Sequence, residues 1–187
     1  MAGDRANRSE PPIEDLVRDV PDFPTAGILF KDITPLLADP VAMAAAVDTM
    51  AQPWLGSGVE FVVGIEARGF IFGALVAAAL GAGFVPARKP GKLPGDTITE
   101  PYGLEYGHDC IEMHLDALPA GSRTIVVDDV LATGGTAAAA ARLVEACGAE
   151  LMGFGFLIEL EFLNGRSRLG SPPINAAITY GTHEDLG

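Results

Sequence analysis

The sequence predicts an α/β fold: a mostly parallel central sheet flanked by helices. Three observations predict it. Residues 61–65 and 124–127 are short, apolar, β-branched runs, the composition of strands buried on both faces. Each run is followed by a loop with charged or glycine residues and then by a helical stretch, residues 70–80 after the first and 137–146 after the second. Further strand-like runs at 84–87, 150–160 and 174–180 extend the same alternation. Strands separated by helices close into a parallel sheet through right-handed crossovers, with ligands expected across its carboxyl edge.

Taken in order, residues 1–12 are polar, end in Pro-Pro and read as a mobile tail, leaving 13–187 as one domain. Apolar side chains at 13, 16, 17 and 20 have helical spacing, stopped by Pro21-Asp-Phe-Pro24. Residues 22–37 are irregular by their prolines and glycine yet rich in large apolar groups, a loop expected to pack on something. Asp39 reads as the N-cap, and Pro40 as the first residue, of a helix ending near Pro53, and Trp54 reads as a core aromatic. The apolar stretch 69–80 is too short to span a bilayer and reads as a core helix. Residues 96–107 show no periodicity, which makes about 89–107 a long lid-like loop. Ile111, Met113 and Leu115 alternate with polar residues as in a half-exposed strand. Gly153 and Gly155 read as packing glycines inside a strand, and 164–168 as a turn with a short helical piece.

Composition excludes several classes. A net charge of −13 argues against a nucleic-acid partner, which would want a basic face. It does not exclude an anionic substrate, since a few cations and helix ends dominate a single cleft. Cys110 and Cys147 lack the spacing of a disulfide framework and fit a reduced, cytoplasmic protein. The N-terminal residues carry no apolar run of signal-peptide type, and no membrane association is expected.

The chemistry concentrates in residues 123–146. Asp128 and Asp129 stand where the strand 124–127 should end, and Leu131-Ala-Thr-Gly-Gly-Thr136 opens directly into the alanine-rich helix. A helix start offers unpaired N–H groups and the positive end of its dipole, so an anion is favoured there. Gly134 and Gly135 let the backbone approach a ligand, and Thr133 and Thr136 add hydroxyl donors. Carboxylates repel phosphate, so two of them beside such a loop need another task. Accepting hydrogen bonds from sugar hydroxyls, or holding Mg²⁺ through water, would supply one. The combination reads as a ribose 5-phosphate cradle. No Gly-Lys-Ser/Thr run supports a nucleoside-triphosphatase loop, and this turn has no dinucleotide fingerprint.

Two further loops reach the same predicted edge. Glu66-Ala-Arg-Gly69 places one acid and one base after its strand, where Arg68 either forks onto phosphate oxygens or forms an exposed ion pair. Residues 88–95, Arg-Lys-Pro-Gly-Lys-Leu-Pro-Gly, hold three of the chain's twelve basic residues within five positions. A positive loop in an acidic chain fits an anion of high charge such as pyrophosphate, or a solvated basic turn.

The stretch around VVDDVLATGGT resembles the PRPP (phosphoribosyl diphosphate) motif of the type I phosphoribosyltransferases. With DFPTAGILFKDITPLLADP, GIEARGFIFG, RKPGKLPG, YGLEYG and FLIEL in the same order and spacing, residues 20–165 are similar to the adenine-specific family within that group. The resemblance implies transfer of the phosphoribosyl group of PRPP to adenine, giving AMP and pyrophosphate with Mg²⁺. It implies a type I fold with a small N-terminal hood at about 20–38, a mobile lid and a homodimer. Asp128 and Asp129 would hold the ribose hydroxyls, either of them also meeting the metal shell, while Ala132, Thr133, Gly134, Gly135 and Thr136 take the 5-phosphate. Glu66, Ala67, Arg68, Arg88, Lys89 and Lys92 would take the pyrophosphate, one of the lysines reaching across from the partner subunit. Leu29, Phe30 and Lys31 would bind adenine through their backbone and the Phe30 ring. Glu105 would be the acid/base residue and Tyr106 would help close the lid, with Arg68 completing the catalytic set.

Two other functions compete. A 6-oxopurine enzyme would carry a lysine after the phosphate loop, where this chain has alanines from Ala137. A non-catalytic PRPP-binding regulator would need a DNA-binding domain or basic face, whereas this chain is acidic and retains Glu105.

Overall fold

The computed structural model describes residues 12–103 and 108–181. The chain divides into two compact units, one up to Ala46 and one from Val47 onward.

In the first unit, a single 3₁₀ turn at Ile13–Leu16 leads into β1 (Arg18–Val20), which pairs antiparallel with β2 (Phe30–Asp32). The helix predicted over 13–20 does not form. Eight residues are too few to sustain a helix without tertiary support, and Val17 is already extended to feed the ladder with β2. β2 itself lies inside the stretch expected to be irregular. The helix α1 (Thr34–Ala38) follows, and then α2 (Pro40–Ala51), which begins in this unit and runs past its end at Ala46. Asp39 is the cap its position predicts: its Oδ1 accepts from the amides of Val41 at 2.9 Å and Ala42 at 3.0 Å. Asp32 accepts from the Thr34 amide and from Arg18, which together bring its carboxyl down to about 2.

The second unit holds the sheet. Its strands are β3 (Phe61–Ile65), β4 (Gly83–Ala87), β5 (Thr97–Gly103), β6 (His108–His114), β7 (Arg123–Leu131), β8 (Glu150–Leu160) and β9 (Ile174–Tyr180). Five of them form an all-parallel sheet in the order β4-β3-β7-β8-β9. Its centre is apolar on both faces, with Val62, Val63, Ile125, Val126, Phe154 and Leu157 fully buried. The crossovers carry α3 (Gly69–Leu80) and α4 (Gly135–Ala146). Among the described residues no helix is long and apolar enough to cross a membrane. Trp54 is buried, and a Cβ at Gly153 would stand 2.5 Å from its ring, so the packing glycine and the core aromatic explain one another.

Residues 97–103, expected to be loop, form β5, which pairs antiparallel with β6. Pro101 and the glycines hid this strand; proline is tolerated because a two-stranded ribbon has only edges. Arg142 of α4 fixes the ribbon, donating to Glu100 Oε2 and to the Pro101 carbonyl, each at 2.8 Å.

Candidate active site

Four neighbouring strands, β4, β3, β7 and β8, end side by side at the carboxyl edge, and their loops carry the predicted residues. β7 runs further than its apolar run suggested. It continues through Asp128 and Asp129 to Leu131, paired with β8 from Asp128↔Phe156 to Leu131↔Glu159. The acids therefore sit on rigid strand rather than at its frayed end. Ala132, Thr133 and Gly134 make the turn, and α4 starts at Gly135, two residues earlier than the alanine run. Gly134 is left-handed, with φ of +78°, and a Cβ there would overlap the carbonyl oxygen of Gly165. No side chain caps α4, so its first amides, including those of Gly135 and Thr136, have no intrahelical acceptor.

The β3 loop closes on the same point. Arg68 Nε lies 2.6 Å from Asp129 Oδ2. Gly69, the first residue of α3, backs so closely on Asp128 that a Cβ would stand 2.6 Å from its Oδ1. Burial first, and then the charge of Asp129, push the Asp128 carboxyl well above its usual range. Burial also raises Asp129, against the pull of Arg68. Both folded values lie above the unfolded value, so the folded protein holds the extra protons. The associated stability is full below the ordinary value of 3.8 and is lost as pH rises through the raised values. Asp128→Asn is therefore expected to raise the Tm of the protein without added ligand at pH 7, with the gain vanishing near pH 4. Scanning calorimetry at the two pH values checks this, and a lower Tm at pH 7 would contradict the burial argument.

The β4 loop is stapled by two carboxylates. Glu66 accepts from Arg88 Nε at 3.0 Å and from the Lys89 amide at 3.1 Å. Burial pushes Glu66 up, but these donors outweigh it and its carboxyl lies below the usual range. Glu112, buried on β6, accepts from the Gly91 amide at 3.0 Å and shapes the turn that carries Lys92. Lys89 Nζ is 2.8 Å from Asp109 Oδ2, which also accepts from the Tyr102 hydroxyl at 2.9 Å. Asp109 raises Lys89, and Lys89 lowers Asp109. Burial and then Asp109 raise the Tyr102 hydroxyl, while the Thr136 hydroxyl works the other way. Tyr102 thus links the basic loop to the start of α4.

The structure brings together Glu66, Ala67, Arg68, Arg88, Lys89, Lys92, Asp128, Asp129 and the turn 132–136. Glu105 and Tyr106 lie outside the described residues. Leu29, Phe30 and Lys31 belong to the first unit. There Leu29 and Phe30 are half-buried, the Phe30 ring packs edge-on to Phe23 at 5.0 Å, and buried Lys31 pairs with Asp19 at 2.7 Å. Sequence reasoning missed Tyr102, Asp109, Glu112 and Gly165. Each acts through residues distant in sequence, and only the tyrosine of YGLEYG carried a local signal.

The donor set bears on a metal. Among the described residues no group of three or more His, Cys, Asp or Glu side chains could cage an ion. Two adjacent carboxylates, Asp128 and Asp129, with Asp129 Oδ2 buried against Arg68, instead offer a hard-oxygen surface. That suits a cation keeping most of its water and shared with substrate phosphates, as Mg²⁺ is held.

The chain resembles known proteins over most of its length. Residues 36–171 match the phosphoribosyl transferase domain family. The chain is 58% identical over 164 residues to the adenine phosphoribosyltransferase of Myxococcus xanthus, covering 88% of this chain and 89% of that one. It superposes with a TM-score of 0.88 on the crystal structure of adenine phosphoribosyltransferase from Thermoanaerobacter pseudethanolicus, at 48% identity, covering 90% of this chain and 98% of that one. The Saccharomyces cerevisiae adenine phosphoribosyltransferase, crystallised with an imino-altritol bisphosphate and adenine, superposes at 0.83 with 43% identity, covering 88% and 95%.

Proposed function

The chain belongs to the adenine phosphoribosyltransferases, within the phosphoribosyl transferase domain family, and we propose that the carboxyl edge of its sheet performs their reaction with the residues assembled there. That reaction, in purine salvage, transfers the 5-phosphoribosyl group of PRPP to adenine and gives AMP and pyrophosphate. One observation carries the assignment of residues: the ion pair between Arg68 and Asp129. It puts the loop suited to pyrophosphate against the acids suited to ribose, as the two ends of PRPP require.

In this reading the amides of 132–136 and the dipole of α4 hold the 5-phosphate, and Asp128 and Asp129 accept from the ribose hydroxyls. Arg68, Arg88, Lys89 and Lys92 face the leaving pyrophosphate, where negative charge grows as the C1′–O bond breaks. The Ala67 peptide lies between Glu66 and Arg68 and completes that loop. Asp128 and Asp129 would hold Mg²⁺, which would supply positive charge against the charge growing on the leaving group. Glu105 takes the proton released by the adenine nitrogen as it bonds C1′, and Tyr106 helps close the loop that excludes water from PRPP. Leu29, Phe30 and Lys31 bind the base. The protein works as a cytoplasmic homodimer, a reading supported by the exposed apolar side chains of Ile71 and Leu75 on α3 and tested by light scattering.

Incubation with PRPP, Mg²⁺ and each purine base in turn tests the whole. AMP from adenine alone is the expected product. Nucleotide from hypoxanthine or guanine would remove the adenine assignment, and PRPP binding without any product would favour a regulator. Glu105→Gln is expected to lower turnover about 10²–10⁴-fold with PRPP affinity nearly unchanged, because the cradle lies elsewhere.

A further inference from the structure

We propose that Arg168 is a further substrate-binding residue, its guanidinium gripping the 5-phosphate of PRPP and of AMP together with the amides at the start of α4. The inference rests on the reading of the 132–136 turn as the phosphate cradle. Arg168 Nη1 lies 3.6 Å from the point where a Cβ of Gly135 would stand, beside the first turn of that helix. The same point is 3.5 Å from the Gly103 carbonyl oxygen and 3.9 Å from the Tyr102 ring. A cation is therefore held over the positive end of a helix dipole, where its interaction is repulsive. An anion placed between the two turns that repulsion into attraction from both sides.

The charge inventory points the same way. Among the described residues every lysine and arginine except Lys92 and Arg168 has a carboxylate within ion-pair distance. In a chain with 25 acidic residues and 12 basic ones, an arginine is seldom left over. Lys92 is on the loop assigned to pyrophosphate, and Arg168 is beside the loop assigned to the other phosphate. Arg168 is also presented by a fixed support. It ends the 3₁₀ turn Gly165–Arg168, whose Gly165 backbone is in contact with Gly134 and Ala132. Two residues before it, Arg166 is tied to Glu159 and to the Ile174 carbonyl. A planar guanidinium offers paired donors that match phosphate oxygens.

Titration of the full chain with AMP and with adenosine, which lacks the phosphate, separates the possibilities. Arg168→Ala is expected to weaken AMP binding about 10- to 100-fold, the range for a hydrogen bond to a charged group, and to leave adenosine binding unchanged. In steady state the KM for PRPP should rise while that for adenine stays. Arg168→Lys should recover part of the loss, since it restores the charge without the fork. Wild-type AMP affinity in Arg168→Ala would overturn the proposal, as would an equal loss for adenosine, which marks a purely structural role. Should the wild-type protein itself bind AMP no better than adenosine, the cradle reading fails, and this inference fails with it.

Discussion

Gly134→Ala is expected to lower kcat/KM for PRPP by about a hundredfold or more, while the protein remains folded. Two costs meet at this residue. A side chain at φ of +78° costs about 1–2 kcal/mol. The added methyl would also overlap the Gly165 carbonyl, which is backbone and cannot swing aside. Gly165 has no freedom to retreat: a Cβ built on it already meets the Ala132 carbonyl and stands 2.9 Å from Leu131 Cδ1. The turn 132–136 must therefore move as a unit, and a misplacement of about 1 Å at a reacting centre costs about 10²-fold in rate. Gly121→Ala is the control. Its φ is also +78°, yet nothing lies within 4 Å of the new Cβ, so it should lose a little Tm and no activity. Equal kcat/KM in Gly134→Ala and wild type would show that this turn does not hold the phosphate.

Much of the site was legible in the sequence because it is local. A buried strand, a glycine turn and a helix start within some twenty residues, and the apolar runs of β3 and β7 mark strands that need no partner to be recognised. The cap at Asp39 and the packing glycines of β8 were legible for the same reason. What escaped were elements defined by partners. β1 and β2 have three residues each, too few for a period, and exist by pairing with one another. β5 contains Pro101 and ends on Gly103, and only its ladder with β6 makes it a strand. The extension of β7 through the two acids depends on β8 supplying hydrogen bonds alongside. Polar residues at a strand end look the same in sequence whether or not that neighbour is present. Arg68 and Asp129 were each legible as ligand groups, but their pairing joins residues on adjacent strands and no local pattern encodes it.

Arg166→Ala is expected to cost about 1.5–3 kcal/mol of stability, the range for hydrogen bonds to a charged group, because Glu159 is buried while Arg166 is half-exposed. Glu159 stands at the end of β8 with only 2% of its surface exposed, and Arg166 covers both carboxylate oxygens, Nε to Oε1 at 2.6 Å and Nη2 to Oε2 at 2.5 Å. Removing the guanidinium leaves a desolvated carboxylate with no comparable donor. For a chain of this size each kcal/mol lowers Tm by about 2–4 °C, so thermal unfolding should show a drop of about 3–12 °C. Adding Glu159→Gln to the same chain should return much of the loss, because a neutral amide is far cheaper to bury than an unpaired charge. The pair also anchors the turn whose Gly165 abuts Gly134. Arg166→Ala should therefore raise the KM for PRPP even at temperatures where the variant is fully folded, and Glu159→Gln should restore stability without restoring that affinity. Recovery of both together would mean that the turn needs only a neutral Glu159 and not the arginine that grips it.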